Sequence, residues 1–323
     1  MNSSAREKIL VACDGSEHSL QIIRYTSLVL DPRRFEVVLY HVFIRVPESF
    51  IDIEQKIPAY RYRIVSVEAW EKKQDVAIRE FMEKAKRILL DAGFPDEAIT
   101  IRINERRIGI ARDIAAEAGN DYKALVVGRR GQSDLKDFML GSVANNIIGL
   151  VSIPIWVAAA GKPRQCKVLM CLDDSEGAMM ALKHLCHVLD TSKNCEITLF
   201  HAVREFHGFK KFVREVFSSE GDKTAIENIE RELAQASKLL EPSFDKARAA
   251  LISSGVDPAR IHQKIVSGAN HSAQAIIEEA EKGEYDTIVL GRRGLSKVEE
   301  FVMGRVSNRV IHMAKDRTVW VVN

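Results

Sequence analysis

Apolar and polar positions along the chain follow two periods, one strand-like and one helical. Ile9 to Cys13 is a continuous apolar run, the pattern of a strand covered on both faces. Asp14-Gly15-Ser16 follows as a turn and helix cap, and Leu20, Ile23, Ser27 and Leu30 then recur at helical spacing. Phe35 to Val42 is rich in β-branched residues and predicts a second strand, and Val67 to Leu90 predicts a long charged helix. Ile99 to Ile103 predicts a third strand, Ile108 to Ala118 a helix, and Leu125 to Val127 a short buried strand. Gly141 to Leu150 closes the pattern as a helix and Ile153 to Ala158 as a final strand. Alternating strands and helices imply a parallel sheet covered on both faces. In such open sheets ligands bind at the carboxyl ends of the strands, where strand order reverses, so chemistry is expected in the turns after Cys13 and Val127.

The same phrases recur about 160 residues further on. Lys8-Ile-Leu-Val-Ala-Cys-Asp14 is echoed by Lys167-Val-Leu-Met-Cys-Leu-Asp173, Val38-Leu-Tyr-His41 by Thr198-Leu-Phe-His201, and the glycine phrase at Gly128 by one at Gly291. The chain therefore reads as two tandem copies of one domain, residues 1–161 and 165–323, joined through the polar stretch Ala160-Gly-Lys-Pro-Arg-Gln165. Each copy is long enough to bury a core without staples.

Composition narrows the class. With 323 residues, 46% hydrophobic and 28% charged, the sequence excludes a disordered tail or a disulfide miniprotein. A net charge of +2 gives no broad electrostatic footprint for nucleic acid, so none is expected as a partner. The N-terminal stretch carries charges of both signs and its apolar run is broken by Asp14, and no apolar run approaches the roughly 18 residues of a spanning helix. A cytoplasmic protein with no membrane partner is expected. Cys13, Cys166, Cys171, Cys186 and Cys195 are odd in number and hold no C-x-x-C pair, which reads as reduced, small apolar residues.

The candidate chemistry lies in Gly128-Arg-Arg-Gly131, nine residues, then Gly141-Ser142 opening a helix. Glycines permit a close backbone approach and leave amide N–H groups to face an anion, and the start of the helix and the Ser142 hydroxyl add donors. The bland alternative is a strand end and a helix cap. The loop matches neither G-x-x-x-x-G-K-[ST] nor G-x-G-x-x-G, so the usual mononucleotide and dinucleotide fingerprints are absent.

The spacing G-x-x-G, nine residues, G-[ST] resembles that of the nucleotide-binding universal stress proteins, and Gly128, Gly131, Gly141 and Ser142 fit it in full. Val11-Ala-Cys-Asp14-Gly-Ser-Glu-His-Ser19 and Leu39-Tyr-His-Val42 are similar to that family's first strand and turn and its second strand. The resemblance covers nearly the whole chain, as two copies. It implies an α/β fold of open five-stranded parallel sheets, Rossmann-like with strand order 3-2-1-4-5, and an adenine nucleotide, ATP or AMP with magnesium as an accompanying ion, between the first and fourth strands. It would place Asp14 at the ribose and metal region, main-chain groups of Val42 at the adenine, and Gly128, Gly131, Gly141, Ser142 and Val143 around ribose and phosphates. Arg129 and Arg130 could neutralise phosphate charge, but paired arginines on an exposed loop read first as solvated surface. The resemblance further implies that the final strands of the two copies pair as a dimer within one chain, and that a homodimer can form.

The second copy departs from the pattern. Gly291-Arg-Arg-Gly294, nine residues, then Gly304 repeats the loop, but Arg305 replaces the hydroxyl residue. Asp173-Asp174-Ser175 stands for Asp14-Gly15-Ser16 and brings a second carboxylate near the phosphates. Unit charges 4 Å apart repel by roughly 1 kcal/mol in water and 4 kcal/mol at an effective dielectric of 20. Asp173, Gly291, Gly294, Gly304 and Arg305 are therefore the weaker second-site candidates, in a cleft expected to be weak, altered or empty.

His184 and His187 flank Cys186 on a helix without a third ligand, so no metal site is expected there. His41 and His201, at matching strand ends, read as satisfied histidines near a cleft. His207 to Phe217 is an amphipathic segment, and Phe50 to Trp70 an irregular stretch in the matching place. The expected function is a nucleotide-binding stress-response protein that uses occupancy as a signal. The alternatives are a slow magnesium-dependent ATPase centred on Asp14, and a nucleotide-independent protein-interaction module.

Overall fold

The computed structural model describes residues 6–45, 61–131, 140–159, 161, 166–189, 195–204, 240–269, 271–294 and 303–323, with backbone alone for 61–68, 204 and 267–269. The chain divides into two compact units, Met1–Lys162 and Pro163–Asn323. In the first, the order is β1 (Glu7–Ala12), α1 (Glu17–Val29), β2 (Phe35–Phe43), α2 (Arg61–Asp91), β3 (Ile99–Glu105), α3 (Ile110–Ala118), β4 (Ala124–Gly128), α4 (Ser142–Ile148) and β5 (Ile155–Ala158). In the second it is β6 (Lys167–Cys171), α5 (Glu176–Val188), β7 (Glu196–Arg204), a helix α6 over residues 240–253, β8 (Ile261–Ala269), α7 (Ser272–Lys282), β9 (Thr287–Gly291), α8 (Arg305–Met313) and β10 (Thr318–Val322).

Each unit is a parallel sheet with the predicted order, β3-β2-β1-β4-β5 in the first and β8-β7-β6-β9-β10 in the second. The reversal falls where β1 lies between β2 and β4, and β6 between β7 and β9. Ile9, Leu10 and Val11 are fully buried, as a strand with neighbours on both edges and helices on both faces requires. The predicted turn at Asp14-Gly15-Ser16 opens α1 with Ser16 as its N-cap, and Leu20, Ile23, Ser27 and Leu30 are buried on one face.

Two expectations are corrected. The first concerns α2, which starts at Arg61, six residues before the predicted Val67, so the second half of the stretch read as irregular is helical. No Gly or Pro lies between Pro58 and Gly93, and helix elongation adds one hydrogen bond per residue fixed, so the charged residues before Val67 continue the helix. The second concerns the cysteines. Cys166 and Cys195 form a disulfide (Cα–Cα 4.5 Å), against the expectation that all five stay reduced. The register of β6 on β7 sets Lys167 opposite Glu196, which carries the residue before each to the same place. Cys13, Cys171 and Cys186 are free. Among the described residues no helix is long and apolar enough to cross a membrane. The amphipathic segment at 207–217 lies outside the described residues.

Candidate functional site

At the carboxyl end of β1 the chain must turn sharply to enter α1. Gly15 does this at φ 86°, a left-handed conformation that costs glycine little. The turn fixes the carboxylate of Asp14. Its Oδ1 accepts hydrogen bonds from the Ser16 amide (3.0 Å), the Ser16 hydroxyl (2.6 Å) and the Ser19 hydroxyl (2.6 Å). Ser19 Oγ in turn accepts from the Asp14 amide at 3.2 Å, so the carboxylate, turn and first helical turn are one hydrogen-bonded unit. Nearby, His41 donates from Nδ1 to the carbonyl of Cys13 (2.8 Å), the satisfied histidine expected at this strand end. Burial lowers the His41 pKa and keeps the ring neutral, with the Cys13 carbonyl and Asp14 acting in the opposite direction. Burial also pushes the Cys13 thiol far above its ordinary value, so it is no nucleophile.

The glycine loop faces this carboxylate from the end of β4. A Cβ on Gly128 would lie 2.8 Å from the Arg130 carbonyl oxygen, and one on Gly141 would lie 3.1 Å from that of Arg129, so these two glycines are needed for the loop to close on itself. Gly131 differs, since the nearest atom to its would-be Cβ is Asp14 Oδ2 at 3.1 Å. The Gly141 amide is spent on the Arg129 carbonyl (2.8 Å). Helix α4 has seven residues, fewer than predicted, and its dipole is correspondingly small. Arg129 is corrected from solvated surface: it is buried, its amide bound to the Ala158 carbonyl (2.9 Å), while Arg130 is half-buried and lines the cleft, where the alternative of neutralising phosphate charge would place it.

The cleft is a pocket of about 470 Å³, within the usual range for small-molecule sites. All seven first-copy candidates, Asp14, Val42, Gly128, Gly131, Gly141, Ser142 and Val143, line it. Its lining includes polar residues, Asp14, Ser19, Arg130 and Ser142 with the Gly131 backbone, and apolar ones, Phe43, Ile44, Trp70, Ile110 and Ile114. Sequence reasoning missed Ser19, Trp70 and Gln74 as lining residues. For Ser19 the signal is its place three residues after a capping serine. For Trp70 and Gln74 it is the four-residue spacing that puts both on one helix face.

In the second unit the corresponding turn is built from different residues. Asp174 takes the left-handed conformation in place of glycine (φ 59°), and its Oδ1 accepts from Ser243 on α6 (2.5 Å). Asp173 Oδ1 accepts from the Ser175 amide (3.2 Å) and hydroxyl (2.5 Å), but Ala178 stands where Ser19 would supply the third donor. The glycine loop lies against the start of α5. A Cβ on Gly177 would meet the Arg293 carbonyl oxygen at 2.3 Å, and one on Gly294 would meet Asp173 Oδ2 at 2.6 Å. The first unit carries His18 at the place of Gly177. Gly291 ends β9, and Gly304 caps α8, which opens with Arg305. Arg292 is buried and donates to the Asn323 side chain (2.8 Å).

His184 packs edge-on against Trp320, with ring centroids 5.8 Å apart, and burial lowers its pKa to about 3. Among the described residues no group of three His, Cys, Asp or Glu could hold a metal ion.

Comparison with known proteins gives a consistent result. The profile of the universal stress protein family matches residues 5–159 and again 166–323. A universal stress protein of Methanocaldococcus jannaschii is 31% identical over 149 residues, 45% of this chain and 87% of that protein. One from Mycolicibacterium smegmatis is 24% identical over 188 residues, 57% of this chain, and the chain spans 60% of that relative's length. A solved universal stress protein from Archaeoglobus fulgidus aligns over 98% of both chains with a TM-score of 0.52 at 21% identity, a likeness of fold.

Proposed function

Because the chain belongs to the universal stress protein family, we propose that its first unit binds an adenine nucleotide, ATP or AMP, and that occupancy of this pocket is the signal it contributes to a stress response. One observation carries the reading: the glycine loop and the Asp14 turn, more than 110 residues apart in sequence, line a single pocket at the carboxyl ends of the strands, whose residues divide into a polar and an apolar set. That division suits a ligand with an anionic tail and a flat heterocyclic head. A hydrogen bond to a charged partner contributes roughly 1.5–3 kcal/mol, so a few of them supply the roughly 4–8 kcal/mol of millimolar to micromolar binding. Magnesium would be held by the phosphates with Asp14 as the protein carboxylate, since this ion favours phosphates and few protein ligands.

Signalling is favoured over turnover because Asp14 is the one acidic residue among the described residues that line the pocket, and three donors already engage its Oδ1. Hydrolysis needs a positioned water, a base and stabilised charge together. For the second unit we propose weak binding or none at Asp173, Gly291, Gly294, Gly304 and Arg305. The support is the packing of its loop on α5 and the loss of the Ser19 hydroxyl.

The test is to denature the purified full chain and identify released nucleotide by chromatography, then to titrate stripped protein with ATP and AMP, with magnesium, by calorimetry. Released adenine nucleotide and micromolar to millimolar binding are expected. No heat with either compound would overturn the proposal.

A further inference from the structure

The chain has three tryptophans, and two of them, Trp156 and Trp320, are fully buried in the sheets. The third, Trp70, is 47% exposed on α2 and lines the pocket of the first unit. Ile44, at the end of β2, is 42% exposed and lines the same pocket. Two large apolar side chains are thus held partly in water in a cleft that also carries polar residues. Gln74 follows Trp70 by one helical turn on the same face and also lines the pocket, adding an amide that both donates and accepts. An indole face and an amide edge are the two chemistries that recognise a nucleobase, one by stacking and one by hydrogen bonding.

We propose that Trp70 and Gln74 are specificity-determining residues that read the base of the bound nucleotide, so that the pocket takes a nucleoside phosphate in preference to a bare oligophosphate. The inference rests on the nucleotide reading above and assigns a role to lining residues that the glycine loop leaves undefined. Trp70 supplies a large, stiff surface that a flat ring covers on binding, removing both from water. Gln74 contributes less, because its amide hydrogen-bonds water when the pocket is empty. Neither residue touches the phosphates in this arrangement, so an oligophosphate without a base gains nothing from them.

The experiment compares the full-length protein with its Trp70→Ala, Trp70→Phe and Gln74→Ala variants. Each is titrated with ATP and, separately, with inorganic tripolyphosphate, by calorimetry and by tryptophan fluorescence. Trp70→Ala is expected to weaken ATP binding roughly 5- to 100-fold, the range found when one stacked base loses its aromatic partner, and to leave tripolyphosphate binding unchanged. Trp70→Phe should retain most of the affinity. Gln74→Ala should cost about 2- to 10-fold, again with ATP only. ATP should quench the wild-type fluorescence and leave that of Trp70→Phe unchanged, because the two remaining indoles are buried. If ATP binds the wild type and Trp70→Ala equally well, the inference falls while the nucleotide reading stands. Equal weakening of ATP and tripolyphosphate by Trp70→Ala also overturns it, since that marks a general structural effect. If the wild type binds neither ligand, both fall.

Discussion

Asp14 Oδ2 lies 3.1 Å from the point that a Cβ on Gly131 would occupy. The carboxylate at the end of one strand and the glycine loop at the end of another therefore meet across the cleft, and the missing side chain sets the space between them. Gly131→Ala should push the carboxylate or the loop by a few tenths of an ångström. A loss of roughly tenfold or more in ATP affinity is expected, the scale of one charge-assisted hydrogen bond, with little change in the unfolding midpoint. Calorimetry beside a urea titration separates the two effects. Unchanged affinity would mean that the loop does not touch the ligand.

Ser19→Ala tests the other side of Asp14. The second unit already carries Ala178 at this place, buried beneath an intact turn, so the fold tolerates the change. A stability loss near 1 kcal/mol is expected from the missing hydroxyl, together with a several-fold loss of ATP affinity as Oδ1 keeps only its two bonds to Ser16. Ser16→Ala should cost more stability, because Ser16 also caps α1 through the Ser19 amide (3.3 Å).

The strands, the repeat, the Asp14 turn and the glycine loop were legible in sequence because each depends on local pattern: buried runs, a capped turn and glycines at fixed spacing. Residues that depend on tertiary placement were not, nor was the tertiary meeting of Asp14 with Gly131. Trp70 sits on a helix whose charged residues mark it only as solvated, and nothing local shows that its face closes a cleft. Arg129 reads as surface because arginine in a loop is ordinarily solvated, yet the short return from β4 turns its side chain inward. Cys166 and Cys195 have no recognisable spacing and meet through strand register alone.

The β3–α3 junction should respond to acid. The carboxylate of Asp113 accepts from the amides of Arg107 (2.8 Å), Ile108 (3.1 Å) and Gly109 (3.3 Å), holding the loop that leads to Ile110 in the pocket wall. Desolvation raises its pKa, but these amides together outweigh that and leave it below the ordinary carboxylate value. A group lowered in the folded state adds stability above its unfolded pKa, near 4, and loses it as pH falls through the folded value. Hydrogen exchange at the amides of 107–109 should accelerate below about pH 4 relative to the rest of the unit. In Asp113→Ala they should be unprotected at every pH, with roughly 1–2 kcal/mol lost.

The Cys166–Cys195 disulfide closes a loop with a sequence separation of 29 residues. Loop-closure entropy predicts about 3–4 kcal/mol of stabilisation, confined to the second unit. Reduction, or Cys195→Ser, should lower the urea midpoint for peptides of the second unit in pulse proteolysis and leave those of the first unchanged. A midpoint insensitive to reductant would mean that the bond adds no stability.

Gly177 gives the sharpest contrast between the two units. A Cβ there would stand 2.3 Å from the Arg293 carbonyl oxygen, a backbone atom with no rotamer to move, and a Cβ on Gly291 would stand 2.4 Å from the Gly177 carbonyl carbon. The second loop is packed on α5 through two glycines, and the first unit carries His18 at the matching place. If this packing were only a closed form of a working site, Gly177→His would lift the loop and open a second cleft. The expectation is instead that the contact helps hold the second unit together, since Asp173 also meets that loop. Gly177→His should therefore destabilise the second unit by roughly 1–3 kcal/mol, the cost of overpacking. It should leave calorimetric stoichiometry at one nucleotide per chain. A second equivalent of bound ATP, in the wild type or the variant, would show that the cleft is latent, and the assignment of binding to the first unit alone would have to be given up.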